Sequence, residues 1–87
     1  MDIHDYTLET LYFQGKPIFI KVHAIKRAWE REIAFPDQVY DVLRTGKVRR
    51  FGKNGMKFIK KNKAGSIICV GEDIGHAIII KTIERGN

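Results

Sequence analysis

The sequence predicts an α+β domain: an N-terminal β-hairpin, then two helices packed on one face of an antiparallel β-sheet, in the chain order ββ-αα-ββββ. Three observations predict it. Residues 8–22 are rich in β-branched and aromatic side chains, with a break at Gln14-Gly15-Lys16. From His23 to Leu43 the apolar residues recur at helical spacing. After Gly46 the β pattern returns, punctuated by turn residues at 52–55, 62–65 and 71–75. The short connections imply an antiparallel meander. Each helix offers one apolar stripe, so both belong on one side of the sheet. A chain of 87 residues holds one domain, residues 1–87, with one small core.

The elements follow in order. Leu8–Phe13 and Pro17–Val22 read as the hairpin strands, with Gly15 free to take a positive φ. Pro17 lacks an N–H and suits a strand start or an edge. Residues 1–15 carry a second reading, because Glu9–Gly15 also spells the cleavage site of a protease used to remove purification tags. They are thus either a tag-like leader or a native first strand. The alternation of Leu8–Phe13 against Ile18–Val22, and the lack of a histidine run in Met1–Leu8, favour the strand. In the first helix Ala24, Ile25, Ala28 and Trp29 share one arc, opposite His23, Lys26, Arg27, Glu30 and Arg31. Pro36 suits the first position of the second helix and Asp37 complements its positive end. Val39, Val42 and Leu43 form its stripe, and Arg44 and Gly46 stop it. Lys47–Phe51, Met56–Lys61, Ser66–Val70 and His76–Glu84 are the remaining strands. Ile67-Ile68 and Ile78-Ile79-Ile80 mark the last two as central. The first two are half polar and edge-like.

Composition narrows the function. No apolar run nears the roughly 18 residues of a membrane span. Residues 1–5 lack a signal pattern, so a cytoplasmic location with no membrane partner is expected. The single cysteine, Cys69, lies in an apolar run and reads as a buried small hydrophobe. Three histidines and one cysteine show no zinc spacing, so no metal and no cofactor is expected. The net charge of +6 is concentrated. Residues 1–15 hold three acids and no base, whereas residues 44–63 hold nine Lys and Arg and no acid. Such a field favours a polyanion, RNA or DNA. A solvated lysine-rich surface is the bland alternative.

Two groups of residues can carry chemistry. His23, Arg27 and Arg31 fall at i, i+4 and i+8 on one helix face, with Glu30 beside them. A neutral imidazole at the helix start can accept a proton, and a guanidinium can hold a phosphate. The same spacing also describes an ordinary solvated helix face. On the sheet, Arg49, Arg50, Lys53, Lys57, Lys60, Lys61 and Lys63 form a candidate nucleic-acid surface. Alternation places Lys57, Ile59 and Lys61 on one face, and Met56, Phe58 and Lys60 on the other. Phe51 and Phe58 could stack on bases or belong to the core. His76 opens the last strand and is a candidate acid opposite His23, or a turn-edge residue.

The pattern His23-Ala24-x-x-Arg27-x-x-x-Arg31-x-Ile33, followed by Val39-x-x-Val42-Leu43-x-x-Gly46, resembles a family of small bacterial and archaeal proteins. That family is grouped with the RelE-like and barnase/EndoU/colicin-like ribonuclease fold. Ile79–Ile83 resembles its closing strand, with Lys81 a departure from the small or apolar residue expected there. The resemblance runs from Ile18 to Ile83. It implies a toxin-type endoribonuclease that cleaves RNA without metal by attack of a ribose 2′-hydroxyl. His23, Arg27 and Arg31 match the motif and would be the base and the phosphate clamp; His76, read from its place at the start of the last strand and not from the resemblance, would be the acid. The substrate would be RNA, free or ribosome-bound. Two other readings stand beside it: a non-catalytic RNA- or DNA-binding module, and one half of a toxin–antitoxin pair whose acidic partner covers the basic face. The expected state is a monomer or an edge-strand dimer.

Overall fold

The computed structural model describes residues 10–86. Leu8 and Glu9 of the expected first strand lie outside them. The elements are β1 (Leu11–Phe13), β2 (Lys16–Ile20), α1 (Val22–Glu30), α2 (Asp37–Thr45), β3 (Lys47–Phe51), β4 (Gly55–Asn62), β5 (Gly65–Asp73) and β6 (Ile78–Gly86). They form an α+β fold with one six-stranded sheet in the order β1-β2-β6-β5-β4-β3.

The sheet is mixed, which corrects the expectation of a wholly antiparallel one. β2 pairs parallel with β6, Ile18 beside Ile78 and Ile20 beside Ile80, while all other pairs are antiparallel. The cause is non-local. The meander delivers its last and most apolar strand against β2, the first central strand. That leaves the half-polar β3 as the far edge, with β4 beside it.

Gln14 and Gly15, at φ 52° and 80°, form a two-residue turn that closes β1 on β2, with Phe13 opposite Lys16. Positive φ at both positions matches the right-handed twist of the strands, and glycine takes it without strain. β2 ends at Ile20, Lys21 N–H donates to the Ile80 carbonyl at 3.0 Å, and the chain coils into α1. The helix then runs alongside the second half of β6. At its end Glu32, at φ 58°, takes the left-handed position. Glu32 N–H donates to Trp29 O and Ile33 N–H to Ala28 O, the paired bonds of a Schellman stop. Arg85 of β6 donates from Nε to Arg31 O at 2.8 Å and from Nη2 to Glu32 O at 2.9 Å. A cation thus satisfies the free carbonyls at the negative helix end.

The core lies between the helices and one sheet face. Ala24, Ile25 and Ala28 of α1, and Val39, Tyr40, Val42 and Leu43 of α2, pack with Ile18, Ile20, Met56, Phe58, Ile67, Cys69, Ile80 and Ile83. Trp29 is not among them; its side chain is 65% exposed. It sits at the margin of the apolar arc, and a nine-residue helix buries only a narrow stripe. Pro36 is the residue before α2 rather than its first, and Asp37 opens the helix. β5 runs through Gly71, expected in a turn, because a bulge at Val70/Gly71 lets the strand continue. A side chain at Gly71 would collide with the Ile79 carbonyl. β6 begins at Ile78, two residues later than expected, since Ile74 N–H closes a turn on Ala77 O. Among the described residues no helix is long and apolar enough to cross a membrane.

The Glu9–Gly15 match can therefore be tested in the folded chain. Leu11 is buried, Phe13 packs edge-on against Phe58 at 5.5 Å, and the Gln14–Gly15 bond lies inside the hairpin turn. A protease that needs an extended substrate must wait for local opening. The folded protein is expected to be cut at least about tenfold more slowly than a free peptide spanning Glu9–Lys16. Equal cleavage rates by gel densitometry would show that the hairpin is not held.

Candidate functional site

Strand alternation divides the basic segment between two faces. Lys47 is level with Ile59, Arg49 with Lys57, and Lys61 with Ser66, so these side chains share the face away from the helices. None of the four cations has a carboxylate partner among the described residues. Arg49 directly opposes Lys57, an arrangement that costs a few tenths of a kcal/mol up to about 1 kcal/mol. Between and beside them lie half-buried Ile59, Ile68, Val70 and Ile79, with Phe19 and Phe51 exposed. Phe51 folds its ring over Gly55, and Lys57 Nζ stands 5.3 Å from the ring centre. An open cleft of about 420 Å³ runs from Phe51 past Gly55 and Val70 to Glu72 and Lys81. Glu72 and Lys81 pair at 3.4 Å. This face therefore combines unpaired cations, an exposed ring and an apolar floor, which is what a single strand of nucleic acid needs.

The other expected cations fall elsewhere. Arg50 and Lys60 point to the helix side. Lys60 Nζ donates to Asp41 Oδ2 and Thr45 Oγ1, both at 2.7 Å, and so ties β4 to α2. Lys53 and Lys63 occupy the turns at opposite ends of β4. Phe58 is fully buried, which removes it as a stacking residue. Phe51, level with Gly55 on the opposite face, is exposed.

On α1, Arg27 Nε–H donates to His23 Nε2 at 3.3 Å, and its Nη1 pairs with Glu30 at 2.9 Å. Arg31 Nη1 turns back to the Arg27 carbonyl at 3.4 Å. The fold thus brings His23 and Arg27 together at the surface, and Glu30 holds the guanidinium. His76 does not join them, which corrects the expected acid–base pair. It lies in the bend before β6, two residues ahead of Ile78, whose partner Ile18 is in β2, whereas His23 follows the far end of β2 at the start of α1. The five residues of β2 span roughly 16 Å, and the two histidines lie toward opposite ends of it. A single phosphate cannot reach both rings.

Asp73 was not singled out from the sequence, and nothing local marks it. Its carboxylate accepts from Lys16 Nζ at 3.0 and 2.8 Å, from Arg50 Nη1 at 3.1 Å and from Gly75 N–H at 2.9 Å. Lys16, then Gly75 N–H and Arg50, hold its carboxyl well below the usual carboxylate range. The cluster braces β2 and β3 against the end of β5, although Lys16 and Asp73 are 57 positions apart. Cys69 is inert, because burial pushes its thiol up to about 12. Among the described residues no three of His, Cys, Asp and Glu come together as a metal site. No family model matches the chain, and no curated protein or solved structure matches it.

The lowered Asp73 carboxyl gives a signed pH dependence. Its stabilisation is fully present above the unfolded value near 4 and is lost as pH falls through the folded value. Asp73→Asn should lower the melting temperature at pH 7. The gap to the wild type should narrow as pH drops from about 4 toward 2. A gap that stays constant over that range would show that the carboxylate charge is not what the brace uses.

Proposed function

We propose that this protein binds single-stranded RNA across the open face of its sheet. The observation that carries the reading is the set Lys47, Arg49, Lys57 and Lys61, four cations without carboxylate partners among the described residues, beside the exposed ring of Phe51. Phosphates pair with the cations, and one or more bases stack on Phe51 and the apolar floor. The resemblance to RelE-like ribonucleases supports RNA as the polyanion. Binding is measured by fluorescence anisotropy over a salt series. Affinity should fall steeply with salt, and Arg49→Ala and Lys57→Ala should each flatten the slope by about 0.7. Phe51→Ala should weaken binding by about 1–3 kcal/mol with little change in melting temperature. A salt-independent affinity, or unchanged binding in Arg49→Ala and Lys57→Ala together, rules the reading out.

A second reading adds cleavage, favoured by the contact between Arg27 Nε and His23 Nε2. His23 takes the proton of a ribose 2′-hydroxyl, the oxygen attacks the adjacent phosphorus, the bond from phosphorus to the next nucleotide's 5′-oxygen breaks, and Arg27 stabilises the charge that develops. Arg27 must first release both His23 Nε2 and Glu30 and turn to the phosphate, which frees the imidazole nitrogen to take the proton. The fold leaves the leaving-group proton to water, since His76 is too far away. RNA incubated with the protein in EDTA should be cut by the wild type and left intact by His23→Ala. Equal cutting by both proteins rejects this step and leaves RNA binding standing.

A further inference from the structure

The β3–β4 turn, Gly52–Asn54, separates two hollows. On the open-face side is the cleft beside Phe51, to which Lys53 and Asn54 contribute. On its other side the same two residues line a polar cavity, open to solvent and of about 400 Å³, with Lys16, Arg50, Asp73, Ile74 and Gly75. Three cations face one carboxylate there, which leaves two positive charges uncompensated. Asp73 fixes Lys16 and Arg50 in place, both on its Oδ2, at 2.8 and 3.1 Å. An ammonium has three donors and a guanidinium five, so both keep donors to spare. Their side chains are 31% and 51% exposed and reach solvent. Lys53 has no ion-pair partner among the described residues.

We propose that this cavity binds a phosphate monoester, the terminal phosphate of an RNA strand whose adjoining bases lie over Phe51 on the open face. The charge balance selects the monoester. A terminal phosphate carries close to two negative charges at neutral pH, where an internal diester carries one. Asp73 acts as a positioning residue that holds two cations for a second anion. The shared turn makes the path continuous: Lys53 and Asn54 border both hollows, so a strand anchored in the cavity passes directly to the cleft. The assignment of the ligand to RNA rests on the reading above; the presence of a phosphate site does not.

The test compares one short single-stranded RNA in three forms: 5′-phosphorylated, 3′-phosphorylated and without a terminal phosphate. One phosphorylated form should bind the wild type about tenfold more tightly than the unphosphorylated one. Lys53→Ala and Arg50→Gln should each bring the phosphorylated and unphosphorylated forms to the same affinity. Lys53 lies in an exposed turn, so its variant carries the test if Arg50→Gln folds poorly. Equal affinities for the three forms overturn the inference while the open-face reading survives. If no RNA binds, inorganic phosphate and a nucleoside monophosphate are titrated instead and followed by amide NMR. Shifts confined to Asn54, Gly75 and their neighbours keep the phosphate site and drop the RNA end; no shift at either ligand drops both.

Discussion

The pairing of β2 with β6 is the contact on which the rest of the molecule depends. Ile18 and Ile20 meet Ile78 and Ile80, and all four are fully buried or nearly so. Each buried isoleucine contributes about 1.5–3 kcal/mol. Closing a loop of about 60 residues costs about 3.6 kcal/mol beyond a constant. The apolar term is the larger, so the chain's two ends can be held together without a disulfide. Because the pair is parallel, its connection has to cross the sheet, and α1 and α2 are part of that crossover. Both helices land on one side, and α1 takes over beside β6 where β2 stops. Arg85 fastens the end of that helix to the same strand.

One-sided coverage has a chemical consequence. Every residue that alternates away from the helices must be tolerable in water, and most of the open face is polar or only half apolar. Yet β3 and β4 place cations against each other there, and among the described residues no carboxylate pairs with them. Where β3 and β4 face the helices, the fold behaves differently: Arg50 meets Asp73 and Lys60 meets Asp41. The same twenty-residue basic segment therefore finds carboxylate partners on one face and, among the described residues, none on the other. Solubility alone does not ask for that division, because interspersed acids would serve it as well.

What could be read in the sequence was what is local. The shift from alternating to helical spacing located α1 and α2, and the Gly- and Asn-rich turns located the meander. Alternation put Lys57 and Lys61 on one face and Phe58 on the other, which is how the strand lies. The errors have one source. The parallel β2–β6 pair, the placement of His76 far from His23, and the Lys16–Asp73–Arg50 brace all depend on which strands become neighbours. No window of eight or ten residues encodes that. Trp29 failed for a related reason: helical phase gives the direction a side chain points, but only the partner surface decides whether anything covers it. Phe51 and Phe58 are equally aromatic, and the register alone separates a core ring from an exposed one.

Edge protection is the strongest competing account of the β3 charges, and it does not cover the facts. A free sheet edge invites pairing with another chain, and lysine or arginine on the edge strand prevents it. That purpose needs charge on β3 and is indifferent to β4, which is an interior strand. Lys57 and Lys61 are on β4, and Lys57 opposes Arg49 across the ladder. Pairing protection would be better served by a glutamate at 57, which would relieve the repulsion and leave the edge cationic. The two-strand patch is wider than an edge guard and faces the open side rather than outward along the sheet. A ligand that supplies negative charge at successive points across β3 and β4 removes the repulsion that the folded chain carries without it.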